Sequence, residues 1–191
     1  MELGVMIAAY YGLRRGEVVG LRWESIDFEN NTITIEHTVT VAKVGGKKKI
    51  VESDTAKTES SLRTLPLVPV FKKKLLALQE EQKQYGKMFG KSYNKKESRY
   101  ICTDQMGNRI RPDYFTQEFP EWMLANGFRR LRHSCASLLL ANGVPLKQIQ
   151  EWLGHSSFKI TADAYAHLEY ESKIAAANAM TWVNETSLGI N

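Results

Sequence analysis

Four short stretches of this sequence gather the residue types that hold anions and attack electrophiles. GLRRGEVVGLRW, residues 12–23, sets Arg14 just beyond a glycine, with Glu17 three residues later. TAKTESSLRTLPL, residues 55–67, carries Lys57 between two strand-like runs. RRLRHSCASLLL, residues 129–140, packs Arg129, Arg130, Arg132 and a histidine against an apolar helix. LGHSSFKITADAYAH, residues 153–167, holds His155 directly after a glycine and Tyr165 ten residues on. Taken singly, each has a plain structural explanation. Arg14 and Glu17 make a local ion pair at a helix start, and Lys57 is a surface lysine. His155 is a capping or core histidine, and Tyr165 a packed aromatic. The arginines at 129–132 fit least well, because cations at a helix start oppose the helix dipole. An anion nearby would resolve that conflict.

Other chemistries find little support. The four histidines, at 37, 133, 155 and 167, show no HxxxH spacing, and the two cysteines do not pair with them at zinc-site intervals. No GxxxxGK[ST] or GxGxxG loop is present to cradle a phosphate, and no GxSxG elbow marks a serine nucleophile. Arginine, lysine, histidine and tyrosine remain. Lys plus Arg number 26 against 21 Asp plus Glu, a formal charge of +5 compatible with a polyanionic partner. Cys102 and Cys135 lie in unrelated contexts, so a reduced, cytoplasmic protein is the expectation, with a disulfide between them as the alternative. No apolar run approaches the ~18–20 residues that span a bilayer.

The elements that must position these residues are mainly helical. With 191 residues and 43% hydrophobic content, one globular domain with a real core is expected. Residues 1–11 predict a helix stopped by Gly12, and a second helix follows over 15–23. NTITIEHTVTVA then alternates with β-branched residues, predicting a strand over 31–42. VGGKKK reads as a turn with a basic tip, IVESD and SLRTLPLVP as two further strands, so residues 31–68 form a small antiparallel sheet. A lysine-rich helix over 70–84, a polar loop, a short strand at RYICTDQ and a helix from Pro112 to Asn126 follow. From Leu131 the chain is helical again, broken at Gly143 and Gly154. Leu146, Ile149, Trp152 and Leu153 recur at helical spacing and mark a core face. Thr161 reads as the N-cap of a short helix carrying Tyr165, and residues 170–183 as a last, alanine-rich helix. The fold class is α+β, mainly α with a small antiparallel sheet.

In order and type, the four stretches together resemble the catalytic domain of tyrosine recombinases, the phage and conjugative-transposon integrase family. That family has an arginine in a G-x-R-x-x-E segment, a lysine in a β-hairpin and an H-x-x-R-H helix start. An L-G-H at a helix end and a tyrosine about ten residues later complete the pattern. GLRRGE supplies Arg14, TAKTESSLRTLPL supplies Lys57, LRHS supplies Arg132, LGHSS supplies His155 and ADAYAH supplies Tyr165. The resemblance runs from about residue 3 to residue 182, and it departs at one place: the first histidine of H-x-x-R falls on Arg129.

The resemblance implies cleavage and rejoining of double-stranded DNA through a 3′-phosphotyrosine, with no metal, ATP or other cofactor. Arg14 and Arg132 would grip the scissile phosphate, Lys57 would protonate the leaving 5′-oxygen, and Tyr165 would attack. His155 would donate to the phosphate or manage the tyrosine's proton. Glu17 would orient Arg14, and Arg129 would supply a cation where the family has a proton-handling histidine. Lys47, Lys48 and Lys49 at the hairpin tip, with Arg130, are expected to contact the DNA backbone. The family also uses an N-terminal DNA-binding domain, so residues 1–191 are expected to be a catalytic domain without that partner. The helix at 170–183 either packs on its own domain or docks on a neighbouring protomer. Two rival readings stay open: a type IB topoisomerase, which relaxes supercoils without exchanging partners, and a DNA-binding module of the same fold without catalysis.

Overall fold

A computed structural model of the chain describes residues 2–54, 62–114, 131–159 and 161–162. Lys57, Arg129, Arg130, Tyr165, the expected helix over 170–183 and all but the first three residues of the one expected over 112–126 lie outside the described residues.

The first helix, α1, spans Glu2–Tyr11 and is apolar on nearly every side, which suits a helix wrapped by other elements. Val5, Ile7, Ala8 and Tyr11 are buried, and α1 packs on a later helix and on α2, Arg15–Gly20. Gly12 joins α1 to α2 at φ +63, the left-handed turn glycine allows. The sequence predicts α2 as far as Trp23, but it stops at Gly20. There the chain turns extended to bond another segment: Trp23 N–H donates to Arg99 O at 2.9 Å, and Ile101 N–H to Leu21 O at 2.9 Å. The expected strand at RYICTDQ is reduced to single bridges, Arg22 with Tyr100 and Thr103 with Arg109.

The antiparallel β-structure is divided between two sheets. β1 (Ile26–Asp27), β2 (Thr32–Ile35) and β5 (Arg63–Pro66) form one, in the order β1-β2-β5. β3 (His37–Val44) and β4 (Lys47–Asp54) form the other. The alternating run read as one strand over 31–42 is therefore cut at Glu36, because its halves take different partners. Its facing survives the cut: Ile33, Ile35, His37 and Val39 are all buried, as a period of two requires. The hairpin turn is Gly45–Gly46 alone, both at positive φ, the two-residue loop that matches strand twist. Lys47, Lys48 and Lys49 thus lie on exposed β4, next to the turn and not at its tip.

Pro69 opens α3, which runs to Phe89, five residues beyond the expected end. Gly86 lies inside it against the Tyr93 ring, with room for an ordinary 3.6 Å contact from a Cβ. Two more described helices follow, α4 (Leu131–Ala141) and α5 (Leu146–Leu153), and α1 rests on α4. The main core joins α1, α2, the three-stranded sheet and α3 through Ile7, Val18, Ile33, Ile35, Leu65, Phe71 and Leu75. A second cluster, Cys135, Ala136, Ile149 and Leu153, binds α4 to α5. Leu146 and Trp152 pack on that cluster, so the face expected from their spacing is present. Tyr11 ties the two regions together: its ring stacks on Trp152 at 5.9 Å, and its hydroxyl donates to Pro66 O at 2.9 Å. Both cysteines are free and buried, and burial pushes each thiol up to about 11. No helix among the described residues is long and apolar enough to cross a membrane.

Candidate active site

The site forms at the C-terminal end of α5. A helix leaves its last carbonyls without intrahelical donors, and its dipole makes that end negative. Gly154 ends α5 in the left-handed conformation, φ 65 and ψ 49, with its N–H returning to Gln150 O and Glu151 O. The next three carbonyls in sequence are each taken by an arginine. Arg63 Nε donates to Trp152 O at 2.8 Å, Arg132 Nη2 donates to Leu153 O, and Arg14 Nη2 donates to Gly154 O at 3.0 Å. Three guanidiniums from three distant segments are thereby fixed around one helix end. The cation that α4 carries as its second residue, Arg132, finds its compensation there, and its Nη1 also donates to Gly12 O at 2.7 Å.

A buried carboxylate organises two of these cations. Glu17, 1% exposed, is the third residue of α2 and reaches back to the Arg14 N–H at 2.8 Å, one half of a capping box. Its Oε1 accepts from Arg14 Nη1 at 2.7 Å, and its Oε2 from Arg63 Nη2 at 2.9 Å. Burial alone would raise the Glu17 pKa, but hydrogen bonds and charge from Arg63, with those from Arg14, hold it below the ordinary carboxylate value. Arg63 is itself buried, whereas the Arg14 side chain remains 45% exposed. Arg14 therefore keeps donor capacity toward solvent while one edge of its fork is fixed.

His155 follows the Gly154 cap. Its N–H donates to Gln150 O at 3.1 Å, and its Nδ1 lies 2.8 Å from Thr161 Oγ1. Partial burial, then the charges of Arg132, Arg14 and Arg63, push its pKa down to about 4, so the imidazole is neutral at pH 7. Thr161 does not begin a helix as the sequence predicts. Residues 158–159 are already helical, and the Thr161 hydroxyl is turned to His155.

Arg14, Glu17, Arg132 and His155 are thus brought together, while Lys57, Arg129, Arg130 and Tyr165 lie outside the described residues. Arg63 and Thr161 were not singled out as site residues from the sequence. Arg63 left a signal: in R-T-L-P-L it shares the inward face with Leu65 and Leu67, and an inward arginine needs a buried partner. Thr161 left none, since its part depends on a turn that brings it back on His155. Next to the segment that holds Lys57, β4 ends at Asp54, whose Oδ1 lies 2.7 Å from Nδ1 of buried His37. Among the described residues, no group of three His, Cys, Asp or Glu side chains is placed to hold a metal ion.

This arrangement of helices and small sheets is shared with solved DNA integrases. The Tn1549 transposon integrase in complex with circular intermediate DNA superposes with a TM-score of 0.68 at 21% identity, over 93% of this chain and 59% of that one. The sequence matches the Phage integrase family over residues 2–172, and the chain belongs to that family. It is 30% identical to a XerC-like tyrosine recombinase of Caldanaerobacter subterraneus subsp. tengcongensis, over 92% of this chain and 47% of that protein. It is 29% identical to the ICEBs1 integrase of Bacillus subtilis, over 85% of this chain and 43% of that protein. The chain spans about half the length of the curated relatives it matches.

Proposed function

We propose that this chain is the catalytic part of a tyrosine-type DNA recombinase, cleaving and rejoining DNA through a 3′-phosphotyrosine. The observation that carries the reading is the convergence of Arg14, Arg132 and His155 on one helix end, within a family whose members include tyrosine recombinases and integrases. A phosphodiester gains charge on its non-bridging oxygens as the attacking oxygen approaches. Arg14 and Arg132 would grip those oxygens, because guanidinium stays charged and its forked donors match phosphate geometry. Donors fixed in advance are worth about 3–4 kcal/mol each in barrier height. Two of them supply the charge stabilisation for which other phosphoryl-transfer enzymes use a divalent ion.

The Tyr165 oxygen forms the new bond to phosphorus as the bond to the 5′-oxygen breaks, and the tyrosine gives up its proton. His155, neutral at pH 7, would donate to a phosphate oxygen, or would accept that proton once the anionic phosphate has raised its lowered pKa, according to which ring nitrogen Thr161 leaves protonated. Lys57 would give the departing 5′-oxygen its proton. The phosphotyrosine linkage keeps the energy of the phosphodiester, so a 5′-hydroxyl can reverse the step without ATP. Double-stranded DNA is the substrate in this reading. Exposed Lys47, Lys48 and Lys49 on β4, with Arg129 and Arg130, would bind its backbone.

Neighbouring protomers, reached through residues 170–183, and further DNA-binding domains belong to the same proposal. Arg129 in place of a histidine favours a second reading, a module that binds DNA without cutting it. The test is incubation with nicked suicide duplexes covering the DNA that flanks its own coding sequence. A covalent protein–DNA adduct supports the recombinase reading. Binding of those duplexes with no adduct from any of them supports the second. Plasmid relaxation without exchange between paired sites would point to a topoisomerase.

A further inference from the structure

Arg63 stands outside the residues to which the recombinase reading gives a part, yet it has two ties to the site. It holds Trp152 O through Nε at 2.8 Å, and it grips both oxygens of Glu17, Oε2 through Nη2 at 2.9 Å and Oε1 through Nη1 at 3.3 Å. Only 8% of it is exposed. Glu17 and Arg63 form a buried ion pair, and such pairs are seldom needed for stability alone, since apolar side chains of similar size often serve as well.

The charges suggest a further role. Arg14 is paired with Glu17, and that pair by itself would be neutral where a phosphate must be bound. With Arg63 on the same carboxylate, two guanidiniums face one carboxylate and a net positive charge remains. Of these groups the exposed one is Arg14. We propose that Arg63 is a positioning residue that offsets Glu17, leaving Arg14 both fixed in orientation and positive toward an incoming phosphate. Through Trp152 O, Arg63 also fixes the end of α5 from which Gly154 O holds Arg14 and after which His155 begins. The proposal rests on the recombinase reading only in taking the scissile phosphate as what Arg14 binds.

Inorganic phosphate tests it without DNA. Binding is followed through the Arg14 Nε–H resonance in the chain, in Arg63→Met, in Arg63→Lys and in the double variant Glu17→Gln with Arg63→Met. Thermal melts identify any variant that does not fold. Loss of charge balance should weaken phosphate binding about tenfold in Arg63→Met, with adduct formation at saturating DNA slowed by about ten- to a hundredfold. Arg63→Lys should fall between. The double variant should recover to within about threefold of the unmodified chain, because a neutral glutamine in place of Glu17 still holds Arg14 without cancelling it. Should Arg63→Met not fold alone, the double variant and Arg63→Lys decide. Two results overturn the proposal: a double variant as poor as Arg63→Met, which would mean packing alone, or an Arg63→Met that binds phosphate normally. If the phosphate series follows the expected order but the unmodified chain never forms an adduct, the Arg63 role stands and the recombinase reading fails.

Discussion

His155 and Thr161 are joined side chain to side chain, Nδ1 to Oγ1 at 2.8 Å, so the histidine that ends the α5 turn is held by the next helical segment. The ring sits among Arg132, Arg14 and Arg63, with the Glu17 carboxylate opposing them. Its pKa is about 4 against an ordinary 6.5, so the folded chain resists protonation that the unfolded chain accepts. The sign follows: stability from this group is complete above about pH 6.5 and is lost as pH falls from there toward 4. An imidazole NMR titration should show neutral His155 at pH 5.5, and adding inorganic phosphate should raise its pKa. A normal titration near 6.5 in the free protein would contradict this environment.

Glu17 carries two cations in a buried place. Removing it as Glu17→Ala leaves Arg63 buried without its carboxylate, a change that costs about 3–5 kcal/mol. Its depressed pKa has the corresponding acid signature: stability present above about pH 4.5 is lost as pH falls through the folded value. Urea unfolding of the chain and of Glu17→Ala at pH 7 and pH 4 measures both effects. The gap between the two proteins should narrow at the lower pH.

Gly12 serves the site by geometry alone. It is left-handed at φ +63, a Cβ there would come within 2.5 Å of Leu153 Cδ2, and its carbonyl receives Arg132. Gly12→Ala should cost about 1–3 kcal/mol in backbone strain and displace both carbonyls that Arg132 holds. A urea midpoint gives the first effect. The rate of adduct formation gives the second, with a fall of at least tenfold expected for a misplaced phosphate donor.

The β3–β4 hairpin carries three exposed lysines, Lys47, Lys48 and Lys49, which the proposal places against DNA. Replacing Lys47, Lys48 and Lys49 with glutamine should weaken binding of unrelated duplexes as much as of specific ones. It should also flatten the plot of log K against log salt by about 0.9 for each phosphate no longer neutralised. Fluorescence anisotropy at several salt concentrations measures that slope. An unchanged slope would remove these lysines from the DNA-facing surface.

The legible parts of the sequence were those governed by local rules. Glycines at 12 and 154 marked helix ends because few other residues adopt their backbone angles, and Ile149 and Leu153 marked a buried face by spacing. The division of TITIEHTVTV between two sheets was not legible, since alternation is unbroken through Glu36 and only the distant partners β4 and β5 decide the cut. The early end of α2 has the same origin, a pairing with residues 99–101. Of the candidate site, Arg14, Glu17, Arg132 and His155, which the structure brings together, are marked in the sequence by motif. Arg63 was missed because one inward arginine on a four-residue strand looks like any strand residue until its carboxylate is known. Thr161 was missed because its partner is set by a turn.

The most direct measurement compares the unmodified chain with Tyr165→Phe on a nicked suicide duplex and looks for a denaturation-resistant protein–DNA adduct. The expected result is an adduct from the first, sensitive to Arg14→Ala and Arg132→Ala, and none from the second. An adduct that persists in Tyr165→Phe, through Tyr170 for example, would contradict the assignment of the nucleophile.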